Sequence, residues 1–97
     1  MTIVRHYLMR AAEGCHAELE TTLYELAAAM LKIEGCEGLE VLRDMGDERR
    51  FVFLERWTAV EAHKQVKNAL PPGLYEKLIG ALEEPPQGSY MDVLRTV

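Results

Sequence analysis

The sequence predicts an α+β domain built from one antiparallel sheet with helices packed on it, and three observations predict it. Residues 51–57 alternate as a strand does, with Phe51, Phe53, Glu55 and Trp57 on one face and Val52, Leu54 and Arg56 on the other. Leu19, Leu23, Leu26, Met30 and Ile33 recur at three- and four-residue steps, the period of a helix with one apolar stripe. Leu39–Arg43 and Phe51–Trp57 flank Asp44-Met45-Gly46-Asp47-Glu48, a loop of hairpin length with a glycine for the turn.

In chain order, the first strand is expected over Ile3–Met9, with Val4, His6 and Leu8 on one face and Ile3, Arg5, Tyr7 and Met9 on the other. A helix over Cys15–Ile33 follows, strengthened by Ala27-Ala28-Ala29 and stopped by Gly35 and Gly38. The strands Leu39–Arg43 and Phe51–Trp57 pair antiparallel. Ala59–Leu70 reads as one helix with Val60, His63, Val66 and Leu70 on a stripe, ended by Pro71-Pro72-Gly73, and a further helical piece runs over Leu74–Leu82. After Pro85-Pro86-Gln87-Gly88, Tyr90, Asp92 and Leu94 alternate with Met91, Val93 and Arg95 as a last strand. The order is β-α-β-β-α-β, the ferredoxin-like arrangement, within a single domain over residues 1–97.

With 97 residues, the chain is near the lower end of sizes that fold alone comfortably, and its 48% hydrophobic content is generous beside a 28% charged surface. A second buried face, and hence an oligomer, is expected. A net charge of −5, without a basic run longer than Arg49-Arg50, disfavours both nucleic acid and membrane-surface binding. Neither a signal peptide nor a transmembrane span is visible. Cys15 and Cys36 flank the first helix at roughly 25 Å or more, too far to bridge, and free thiols suit a cytoplasmic protein. His6 and His16 lack ligand partners at metal spacing, so no metal is expected. Nor does any glycine-rich phosphate loop offer flavin or nicotinamide a site, and no cofactor is expected.

Five residues carry candidate chemistry. Trp57 can stack on a flat substrate and donate from its indole nitrogen, although a tryptophan also simply fills a core. His63, pointing from its helix toward the sheet near Trp57, can take a phenolic proton as a neutral imidazole; the plainer reading is a histidine satisfied by a backbone carbonyl. Tyr7 offers a phenol to a substrate oxygen, or packs beneath the first helix, with Arg5 beside it as a stabiliser of negative charge. Glu55 on an aromatic face is either a base with raised pKa or a carboxylate tied to backbone amides or an arginine. Tyr7, Trp57 and His63 are the expected catalytic residues, with His63 as the base, and Arg5, Phe53 and Glu55 are expected to contact substrate.

An apolar strand closing in Glu55-Arg56-Trp57, a short turn and Glu61-Ala62-His63 resemble the antibiotic biosynthesis monooxygenase family of small dimeric α+β barrels. Gly35-Cys36-Glu37-Gly38 resembles that family's junction between first helix and second strand, with Glu34 where proline is usual and Leu39 where an aromatic often stands. The resemblance runs from Ile3 to about Leu94. It implies two sheets closing into a barrel across a homodimer, with a pocket in each subunit between sheet and helices. It further implies a cofactor-independent oxygenase acting on an apolar or aromatic small molecule such as a hydroquinone or anthrone, with the matching tryptophan lining the pocket. Tyr7 stands where the haem-degrading branch has asparagine, Val66 and Lys67 where its later histidine falls, and Phe53 where antibiotic-type members have asparagine. These departures favour an alternative, a non-catalytic dimeric binding module or stress-response barrel.

Overall fold

A computed structural model describes residues 2–97. Strand β1 (Ile3–Arg10) leads to helix α1 (His16–Met30), then strands β2 (Cys36–Arg43) and β3 (Arg50–Trp57). Short helices α2 (Val60–His63), α3 (Val66–Ala69) and α4 (Leu74–Gly80) precede strand β4 (Gln87–Asp92). The sheet order is β2-β3-β1-β4, with every neighbouring pair antiparallel. This is the ferredoxin-like α+β fold.

Strand register decides which side chains meet. Tyr7 lies opposite Phe53 on β3 and Gly88 on β4, while Arg5 lies opposite Glu55 and Tyr90. All six share the helix-covered face, because their neighbours Met9, Phe51 and Trp57 are buried under the helices. Leu19, Leu23, Leu26 and Met30 of α1 and Leu74 and Leu78 of α4 complete that core. Each such large apolar side chain contributes about 1.5–3 kcal/mol on burial. Thr22, the polar member of the α1 stripe, is satisfied by donating its hydroxyl to the Glu18 carbonyl at 2.8 Å. Val4, His6, Leu8, Val52 and Leu54 lie on the opposite sheet face, each partly exposed, with Leu42 at 43% and Met91 at 46% beside them.

Several boundaries differ from those expected, for local reasons. Helix α1 stops at Met30 rather than Ile33, because the Ile33 N–H bonds Met30 O at 2.9 Å and the chain turns through Gly35 at φ 93°. A side chain at Gly35 would also collide with Ala62, whose Cβ lies 2.7 Å from the position a Cβ would take. β2 therefore begins early, at Cys36, with an irregular register between Cys36 and Gly38. The expected single helix over 59–70 is two pieces: Ala62, Gln65 and Asn68 each donate three residues back, tightening the turns at Lys64 and Gln65. Leu70 is extended (φ −74°, ψ 143°), as the residue before Pro71 must be, so α3 ends at Ala69. α4 ends at Gly80, leaving Leu82 to bridge Ala11, and β4 runs over Gln87–Asp92 and stops short of Leu94 and Arg95. Both cysteines are free thiols, and among the described residues no helix is long and apolar enough to cross a membrane.

Candidate functional site

Period-two geometry sets Arg5 and Tyr7 side by side on β1, and Phe53, Glu55 and Trp57 side by side on β3. Helix α2 is anchored across this face by the Thr58 N–H, which bonds Gly35 O at 2.9 Å, and it lowers His63 onto them. The imidazole is bracketed by two phenols: Tyr7 Oη is 3.1 Å from Nε2 and Tyr90 Oη is 2.7 Å from Nδ1. A neutral imidazole has one donor and one acceptor nitrogen, so at least one phenol donates to it. The Arg5 guanidinium lies over both phenol rings, 4.7 Å from the Tyr7 centroid and 4.2 Å from that of Tyr90. Its Nε is buried without a hydrogen-bond partner among the described residues.

Tyr7, Phe53, Glu55 and His63 of this group border a cavity of about 270 Å³. Tyr7, Glu55 and His63 make its polar wall, while Met9, Met30, Phe53 and Leu78 contribute to the apolar remainder. Tyr7, His63, Val66, Leu70 and Tyr75 are shared with an outer vestibule of about 860 Å³ that Lys64, Lys67 and Pro71–Gly73 also line. The lining is apolar with a few converging polar groups, the composition that small-molecule pockets commonly have.

Trp57 sits elsewhere than a pocket wall. Its side chain is 0% exposed, is absent from the cavity lining, and donates its indole N–H to Glu55 Oε1 at 2.8 Å. The position expected to stack on a ligand thus reaches the cavity only through Glu55. Arg5 likewise stands behind the lining, stacked on Tyr7 and Tyr90. Phe53, Glu55, Tyr7 and His63 do line it.

Burial governs the ionisation of the polar wall. Glu55, 1% exposed, has its carboxyl pushed up to about 7 by loss of water, against smaller opposing effects of the Trp57 N–H and Arg5. The same loss of water, with Arg5 adding its positive charge, brings His63 down to about 4. Burial also raises the Tyr7 phenol, which Arg5 only partly offsets. His63 Nε2 is 3.6 Å from Glu55 Oε1, within reach of an ion pair but too long for a hydrogen bond. Charging both groups in so dry a place costs more than this separation returns, so between about pH 4 and 7 the pair is neutral.

Met30, Tyr75 and Leu78 at the cavity and Tyr90 beside His63 are not among the site residues the sequence predicts. Tyr90 had a usable signal, since the last strand of a β-α-β-β-α-β sheet adds to the first, and an aromatic there shares the face of Arg5 and Tyr7. Among the described residues no cluster of three or more His, Cys, Asp or Glu is placed to hold a metal ion.

The model of the antibiotic biosynthesis monooxygenase family matches residues 2–69. No curated protein matches the chain. Among solved structures, a variant of SnoaB, a cofactor-independent oxygenase from Streptomyces nogalater, is similar with a TM-score of 0.83 and 17% identity, covering 99% of this chain and 96% of that one. PA3566 from Pseudomonas aeruginosa gives 0.82 at 21% identity, covering 97% and 95%. Rv0793 from Mycobacterium tuberculosis gives 0.81 at 12% identity, covering 99% and 98%. At these identities the likeness speaks for the fold.

Proposed function

The chain belongs to the antibiotic biosynthesis monooxygenase family, and from that premise we infer that it is a cofactor-independent oxygenase of compact, electron-rich aromatics such as hydroquinones or anthrones. One observation carries the reading: an apolar cavity of about 270 Å³ ends in three proton-handling groups, Tyr7, His63 and Glu55. Its volume lies near the lower end of ligand pockets, which suits a compact ring system with its hydroxyl at the polar wall. The similarity to a cofactor-independent oxygenase fold supports the same reading.

Glu55 is the base in this scheme. A carboxyl near 7 is half ionised at neutral pH and strong enough to take an acidic proton, whereas an imidazole near 4 is a weak acceptor. Loss of a proton from an anthrone methylene leaves a carbanion, which passes one electron to dioxygen. The radical pair joins as a hydroperoxide at that carbon, and loss of water, carrying off the second methylene hydrogen, leaves the ketone. One oxygen atom enters the product and the other leaves as water. Tyr7 orients the substrate oxygen, Phe53 packs on the ring, and Trp57 and Arg5 act from behind by holding Glu55 and the phenols. The partly exposed sheet face of Val4, Leu8, Val52 and Leu54 supports a homodimer, since a twofold partner covers it with the same face.

The test is oxygen uptake with a panel of anthrones and hydroquinones, in air and under nitrogen. Wild type turns over only with oxygen, and Glu55→Gln lowers kcat by about 10²-fold or more. Tight binding with no oxygen uptake would instead favour a non-catalytic binding barrel.

A further inference from the structure

The base accounts for one proton at the cavity wall, and the contacts of His63 reach beyond it. Tyr7 Oη, His63 Nε2, His63 Nδ1 and Tyr90 Oη form an unbroken line through 3.1 and 2.7 Å contacts. Its inner end borders the cavity, and its outer end belongs to a tyrosine that is 41% exposed on the edge strand β4. We propose that Tyr7, His63 and Tyr90 form a proton conduit between the ligand cavity and bulk solvent, with Tyr90 as its solvent-side terminus. The proposal rests on the reading of the cavity as a site for a hydroxylated aromatic.

The balance closes at one proton in and one out. A ligand hydroxyl gives its proton to Tyr7 Oη as the Tyr7 proton moves to His63 Nε2. The proton on Nδ1 moves to Tyr90 Oη, and Tyr90 releases its own to water. The imidazole only exchanges tautomers and never becomes an imidazolium, the form that burial and Arg5 disfavour. Return of a proton to the cavity uses the same steps reversed. Such a conduit matters when a ligand fills the cavity and reaches into the vestibule, because Tyr7 and His63 border both and are then shut off from water on that side.

Packing around the line holds it in register. The Arg5 guanidinium spans both phenol rings and favours transient negative charge on the Tyr7 oxygen. Gly88 on β4 leaves the room this takes: a Cβ there would stand 2.5 Å from Arg5 Nη2 and 2.7 Å from Tyr7 Cε1. The other titratable group facing the imidazole is Glu55, at 3.6 Å.

Stopped-flow mixing with 4-nitrophenol under nitrogen tests this, following phenolate absorbance together with a pH indicator in weak buffer. The expected result is proton release from wild type, slowed on the order of tenfold or more in Tyr90→Phe and in Tyr7→Phe. In Tyr90→Phe the probe's dissociation constant stays unchanged, and added imidazole buffer restores the rate without affecting wild type. Tyr90 is exposed on an edge strand, and phenylalanine keeps its ring over Arg5, so this variant folds. Equal release rates in wild type and Tyr90→Phe, or no release from wild type, would overturn the conduit. No oxygen is consumed in this measurement, so failure of the oxygenase reading shows separately in the uptake assay.

Discussion

Replacing Glu55 by glutamine should change how stability depends on pH, in a way that separates a neutral Glu55–His63 pair from an ion pair. Moving a carboxyl from its ordinary 4.5 to about 7 is worth about 3 kcal/mol, at about 1.4 kcal/mol per pH unit. Between pH 4.5 and 7 the folded chain keeps a Glu55 proton that the unfolded chain has released, so stability falls as pH rises through that window. His63 works the other way. From about pH 4 to 6.5 the unfolded chain binds a proton that the folded imidazole refuses, and stability rises by somewhat less, since the side chain keeps 12% exposure. In wild type these slopes largely cancel over their shared range. Glu55→Gln keeps an oxygen for the Trp57 N–H and removes one slope, so the variant gains about 3 kcal/mol on wild type between pH 4.5 and 7 and holds the gain above it. Urea unfolding at fixed protein concentration across pH 4–8 reads this difference, in which the other titrating groups drop out. An ion pair would instead hold Glu55 ionised in the folded chain from below pH 4.5, leaving the difference flat between pH 4.5 and 6.5, and a flat difference there refutes the reasoning.

Two further outcomes follow from the same geometry. Leu54→Lys places a charge in the partly exposed sheet face, and sedimentation should show the proposed homodimer weakened by on the order of a hundredfold or more; a folded wild-type monomer at micromolar concentration would remove the basis for that proposal. Trp57→Phe leaves Glu55 without its indole donor and costs about 1–3 kcal/mol of stability in urea unfolding. It should lower kcat with KM little changed, because the indole stands outside the cavity lining, and a purely raised KM would show that it contacts ligand.

The sheet and the first helix were legible because each obeys one period over many residues. Phe51, Phe53, Glu55 and Trp57 had to share a face, and Leu19, Leu23, Leu26 and Met30 a stripe. The segment 59–70 was less so: its stripe was readable, but the tightening at Lys64 and Gln65 arises where the helix docks on the sheet through Gly35 and Thr58, a contact between distant residues. Parity could place Trp57 beside Glu55. It could not show that the carboxylate would turn toward the indole nitrogen and leave the ring behind the wall. Strand order placed Tyr90 on the strand beside β1, but its pairing with Arg5 depended on the register of β4 against β1, which no local pattern in either strand sets.

Pairing of the first strand with the last also has a kinetic consequence. Arg5 and Tyr90 lie near opposite ends of the chain, but the Ala11–Leu82 bridge and the Glu83 N–H bond to Arg10 O already hold the segment before β4 beside β1, so the site is completed by a late docking of β4 that closes only a short loop. β4 is held by β1 alone within the sheet, and all six of its residues are exposed. Its amides should therefore exchange with deuterium well before those of β3, by a local opening that leaves the central core intact. Folding of the core and maturation of the site are then distinct events, the second repeatedly undone and remade during the lifetime of the native protein.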